Sequence, residues 1–66
     1  MNKYWRVGDK VTWQEFDPEY DVMMIYVGTV RDLLSTQMLV HTTKGTDRFV
    51  FYKDHTLKAY KQGESQ

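Results

Sequence analysis

The sequence predicts an all-β fold, five short strands curled into a small half-open barrel. Three observations carry that prediction. β-Branched and aromatic residues fall in short runs with period-two alternation, separated by turn residues. No segment repeats apolar residues at i, i+3, i+4 and i+7 over 11 residues, the spacing an amphipathic helix needs. Ten aromatics in 66 residues supply a dense core without a single cysteine. A flat sheet of this size would leave one apolar face wet and two edges open, which curling relieves.

The first strand is Lys10-Val11-Thr12-Trp13-Gln14, with Val11 and Trp13 on one face. The second is the run from Val22 to Arg31, long and apolar on both faces, and Gly28 within it marks an expected bulge or bend. Thr36 to Thr42 reads as the third strand, Arg48 to Tyr52 as the fourth and Leu57 to Tyr60 as a short fifth. Thr43-Lys44-Gly45-Thr46 is a hairpin connection, Gly45 providing the positive φ. Leu33-Leu34-Ser35 and Asp54-His55-Thr56 are tighter links. The one long connection expected is Glu15 to Asp21, holding four carboxylates, two aromatics and Pro18. Tyr26, Phe49, Phe51 and Tyr52 are expected in the core or on the sheet face; Phe49 and Phe51 share one side, Val50 and Tyr52 the other, with at least one member of the second pair expected to be exposed.

Residues 1–66 read as one domain, with the barrel core at 7–60, a polar tail at 61–66 and fraying expected at Met1–Asn2 and in the tail. That length excludes two-lobed enzymes and doubly wound nucleotide-binding folds. The absence of cysteine removes disulfides and thiolate chemistry, and a cytoplasmic setting is expected, since small secreted domains usually carry disulfides or metals. No apolar run nears the roughly 20 residues of a membrane helix, and residues 1–6 lack the apolar stretch of a signal peptide. The chain is electrically balanced, nine cations against nine anions, but residues 1–32 carry net −2 and residues 33–66 net +2.

Val7-Gly8-Asp9-Lys10-Val11 followed by Trp13, then Gly28-Thr29-Val30, Met38-Leu39-Val40, Phe49 to Tyr52 and Leu57, resembles the SH3-like barrels of the Tudor and KOW type. The resemblance spans residues 7–60 and implies a small five-stranded SH3-like barrel; fold likeness of this kind does not carry function with it. Tudor domains that read methylated side chains cluster aromatic and acidic groups on two loops. Trp13, Phe16 and Tyr20 stand at the first here, whereas Thr42-Thr43-Lys44-Gly45 at the second bring neither an aromatic nor an acid. The acidic connection also resembles the long first loop of peptide-binding SH3 domains, although the tryptophan pair of that family is missing.

The residues themselves point to a contact surface at Trp13, Phe16, Asp17, Glu19, Tyr20 and Asp21, where rings and carboxylates together attract a cation or methylated amine. A second set, Arg31, Lys44, Arg48, Lys53 and Lys58 with Trp5 and Tyr52 as stacking rings, suits weak, salt-dependent nucleic-acid binding. Trp5 equally suits a plug at the open end of the barrel. His41 and His55 lack metal-ligand spacing, and neither serine sits in a nucleophile elbow, so no catalytic residue, cofactor or metal is expected. The expectation is a non-enzymatic protein-binding module, a regulatory adaptor or inhibitor of microbial or phage origin, with KOW-like nucleic-acid binding as the alternative. The surplus of apolar side chains in Val22–Val27 also suits a homodimer through that strand.

Overall fold

Alternation of side chains decides which face of each strand turns inward, and pairing register carries that choice from strand to strand. The computed structural model describes residues 4–61; the expected fraying of Met1–Asn2 and of 62–66 lies outside the described residues. It contains β1 (Lys10–Asp17), β2 (Val22–Leu33), β3 (Gln37–Thr42), β4 (Asp47–Phe51) and β5 (Lys58–Ala59), and no helix among the described residues. All pairings are antiparallel, in the order β4-β3-β2-β1-β5.

The sheet is not closed. β4 and β5 stand at its two ends without pairing to each other, so of the expected half-open barrel the structure shows the five antiparallel strands, in an unclosed sheet. β5 is only two residues long and is spent on Val11 and Thr12 of β1. The sheet nevertheless folds over itself. In a flat sheet β1 and β4 would lie three strand spacings apart, roughly 14 Å, yet Glu15 of β1 hydrogen-bonds Arg48 of β4. One core results from the inward faces: Val11 and Trp13 from β1, Val30 from β2, Met38 and Val40 from β3, Val50 from β4. Trp5, Tyr26, Leu33, Tyr52 and Leu57 pack against it.

β2 makes the fold-over possible because its two halves serve different neighbours. Val22–Thr29 pairs with β1, and Gly28–Leu33 pairs with β3. The halves overlap at Gly28, where a Cβ would stand 2.5 Å from the His41 carbonyl oxygen and 2.6 Å from Val40 Cγ1. Glycine is therefore needed for close strand approach. The bulge expected there falls instead between Val30 and Asp32. The Gly8-Asp9 segment continues the pairing beyond β1: Gly8 N–H donates to the Val30 carbonyl at 2.8 Å and Val30 N–H to the Asp9 carbonyl at 2.9 Å. Gly8 takes φ 98° in that turn.

Two expectations are corrected by the register. The long connection from Glu15 is short: β1 continues through Asp17, and residues 18–21 form the turn. Asp17 Oδ1 accepts the Glu19 N–H at 3.0 Å, an Asx-type contact that starts the turn around Pro18. Asp21 closes it at φ 57°, a conformation Asp tolerates better than most residues. Glu15 and Asp17 hid the strand, because carboxylates occupy positions on its inward face. The second correction is in β4: Val50 is buried and Tyr52 half-buried, whereas Phe49 and Phe51 are 57% and 60% exposed. Met38 opposite Val50 and Leu39 opposite Phe49 fix that polarity.

Gly28→Ala drives a methyl group into backbone, which the neighbour cannot evade by a rotamer change. Chemical denaturation is expected to show a loss of about 2 kcal/mol, and an unchanged midpoint would contradict the close-approach role of Gly28.

Candidate functional site

Four side chains form a closed ring of contacts where β1, β2 and β4 meet. Trp13 and Tyr26 face each other across the β1–β2 ladder, their rings stacked at 5.4 Å and 17°. The Arg48 guanidinium lies 4.7 Å from the centre of the Tyr26 ring, a cation–π contact. Arg48 Nε donates to Glu15 Oε2 at 3.2 Å, and Nη2 donates to Oε1. Trp13 Nε1 completes the ring by donating to Glu15 Oε2 at 2.8 Å. Lys44, from the β3–β4 turn, adds its ammonium 5.5 Å from the same Tyr26 ring.

Burial pushes the Glu15 carboxyl up, but hydrogen bonds from Arg48 and Trp13 and the charge of Arg48 outweigh it, so its pKa lies below the ordinary value. The Glu15 hydrogen bond, opposed by burial and aided by the carboxylate charge, raises Arg48. The arrangement is a structural latch. It occupies Arg48 and holds the β1–β2 hairpin in place.

Beyond the latch the hairpin presents its outer face to solvent. Phe16 sits opposite Met23 and Gln14 opposite Ile25. Phe16, Met23 and Ile25 are 55%, 52% and 64% exposed. An open groove of ≈ 920 Å³ is lined by Gln14 and Met23 of the hairpin, Ser35 and Thr36, Phe51 and Tyr52, and the turn Lys53–Thr56. Its lining is held by specific bonds. Tyr52 OH donates to the Leu34 carbonyl at 2.7 Å. Thr56 Oγ1 accepts the Gln14 N–H at 2.9 Å and donates to Asp54 Oδ1 at 2.7 Å, tying the last turn to β1.

The structure separates the residues expected at the contact surface. Trp13 is 1% exposed and belongs to the core; its inward position on β1 removes it from any docking role. Phe16 is on the outer strand face beside the groove residue Met23. Glu19, Tyr20 and Asp21 lie exposed at the hairpin tip, with Asp17 half-buried below them. The cationic set is divided among elements. Arg31 is exposed at the bulge, Lys44 and Arg48 face Tyr26, Lys53 lines the groove, and Lys58 is exposed on β5. Trp5 and Tyr52 pack against the core.

His41 Nδ1 contacts Asp47 Oδ1 at 2.7 Å on the outer face, and His55 lies in the groove wall. Among the described residues no three His, Asp or Glu side chains converge as a metal site would require, and no helix is long and apolar enough to cross a membrane. Of the groove residues, Met23 is expected from the sequence only as part of the Val22–Val27 dimer strand, and Gln14, Phe51 and Thr56 are not expected as site residues. The available signal was the alternation of β1 carried on through Phe16, which places Phe16 and Met23 on one outer face.

No family, curated protein or solved structure matches the chain.

Because the folded-state pKa of Glu15 is depressed, its contribution to stability is fully present above the unfolded carboxylate range and disappears as pH falls through the folded value. Glu15→Gln is expected to flatten that acid limb by about 1 kcal/mol or less, as Arg48 is partly solvated. Thermal melts from neutral to acidic pH check it; parallel profiles for the two proteins would contradict the depressed pKa.

Proposed function

We propose that this chain is a small SH3-like, non-enzymatic module of the Tudor/KOW type that binds another protein in the groove between its first hairpin and its last turn. The observation that carries the reading is the groove itself: an open channel lined by Met23 and Phe51, with Phe16 beside Met23, all more than half exposed. Large exposed apolar side chains gathered around a concavity are costly to leave in water, and they supply the anchors on which protein interfaces depend.

The five-strand order, with β1 flanked by β2 and β5, is compatible with a barrel-like module of this kind. The hairpin tip adds Glu19 and Asp21 beside the Tyr20 ring, so the favoured partner is an extended segment combining apolar and cationic side chains. A regulatory adaptor or inhibitor uses such a surface without chemistry of its own. Nucleic-acid binding is the alternative; Lys53 at the groove and Arg31, Lys44 and Lys58 elsewhere are its exposed cations, while Arg48 is already engaged by Glu15.

Affinity capture with the wild-type protein, compared with Met23→Lys combined with Phe51→Ser, tests the reading. A stoichiometric protein partner retained by wild type and lost by the double variant is expected, with the far-ultraviolet spectrum unchanged. A partner held equally by both would remove the groove from the account. Low-salt oligonucleotide binding abolished by Lys53→Glu would favour the alternative.

A further inference from the structure

The hydrogen-bonding phase of β4 leaves its outer edge open. Thr42 N–H donates to the Thr46 carbonyl at 2.7 Å at one end of the β3–β4 ladder, and Tyr52 N–H to the Thr36 carbonyl at 3.1 Å at the other. Antiparallel pairs alternate between bonded and non-bonded. Between those two fixed ends, the register makes Val40–Arg48 and Met38–Val50 the bonded pairs. Asp47, Phe49 and Phe51 therefore turn their backbone groups away from β3. Of these, the Phe51 carbonyl accepts the Asp54 N–H at 3.0 Å. The remaining edge has no proline or bulge, devices by which proteins usually blunt an open strand.

We propose that β4 pairs antiparallel with β4 of a second copy, centred on Phe49, to form a two-fold dimer with one sheet continuous across both chains. The edge is complementary to itself in that register. Phe49 meets its own counterpart, exchanging N–H and C=O on both sides of the axis. Asp47 then lies opposite Phe51 of the other copy and Arg48 opposite Val50, so every residue of β4 has a partner. The two Phe49 rings, each 57% exposed alone, stack side by side on the outer face. Self-pairing is closed and stops at two copies, as a two-fold interface requires. This interface differs from one through Val22–Val27, whose exposed Met23 and Ile25 belong to the hairpin, and it does not rest on the groove reading.

Sedimentation over a concentration series tests it, using Phe49→Pro and Phe49→Lys. Proline removes an N–H that β3 does not use, so the ladder within the chain is preserved. Wild type is expected to show a concentration-dependent dimer boundary, and both variants to lose it while keeping a native aromatic circular-dichroism spectrum. A wild-type monomer at every concentration would overturn the proposal. So would a dimer that survives both Phe49 changes but is lost on Ile25→Lys, which places the interface on the hairpin. Capture of a groove partner by Phe49→Lys is expected to be unchanged, which separates failure here from failure of the binding-module reading.

Discussion

The arrangement depends on keeping a carboxylate, a guanidinium and two rings together at the mouth of a very small core. An open sheet of five strands has no hydrogen-bonded seam between its ends, so side chains must hold its inner faces together. Glu15 and Arg48 do this from strands that are not neighbours, and the Trp13–Tyr26 stack gives Arg48 a flat surface to lie on. Each member supports another: Trp13 Nε1 fixes the carboxylate, the carboxylate fixes the guanidinium, and the guanidinium covers Tyr26. Partial burial strengthens such a ring electrostatically and makes the loss of one member felt by the rest.

That latch has a consequence for the surface. With inner positions of β1 and β2 given to Trp13, Glu15 and Tyr26, the outer positions of the same hairpin go to Phe16, Met23 and Ile25. β4 shows the same division, Val50 inward and Phe49 and Phe51 outward. A core of six buried apolar side chains among the described residues cannot absorb every ring and branched chain this sequence carries. The remainder lies on a two-faced sheet, along one groove and one edge. Binding is the reading that gives those exposed side chains a use.

Much of the fold was legible in the sequence because alternation is a strong signal where polar and apolar residues segregate. Val11 and Trp13, the long apolar β2 and the Gly45 turn were all readable that way. Gly45 sits at φ 87° after Gly45 N–H closes on the Thr42 carbonyl at 3.0 Å, and the Thr42 hydroxyl accepts the Lys44 and Thr46 N–H groups behind it. The hairpin of β1 and β2 was concealed because its inward positions hold Glu15 and Asp17, which composition reads as loop. The polarity of β4 was ambiguous for the opposite reason: Phe-Val-Phe-Tyr is apolar on both sides, and only pairing with Met38 decides it. Of the expected contact residues, Phe16 and Tyr20 are exposed and Trp13 is not. The groove was not legible at all, since Met23 and Phe51 are 28 positions apart and meet only when the sheet folds over.

The most direct test of this account is a double-mutant cycle on Glu15→Gln and Arg48→Met, read by urea unfolding at neutral pH. A latch between the two halves of the sheet predicts a coupling energy of about 1 kcal/mol, with the double variant less destabilised than the sum of the single ones. Strict additivity, with no coupling between the two positions, would show that the sheet folds over for some other reason.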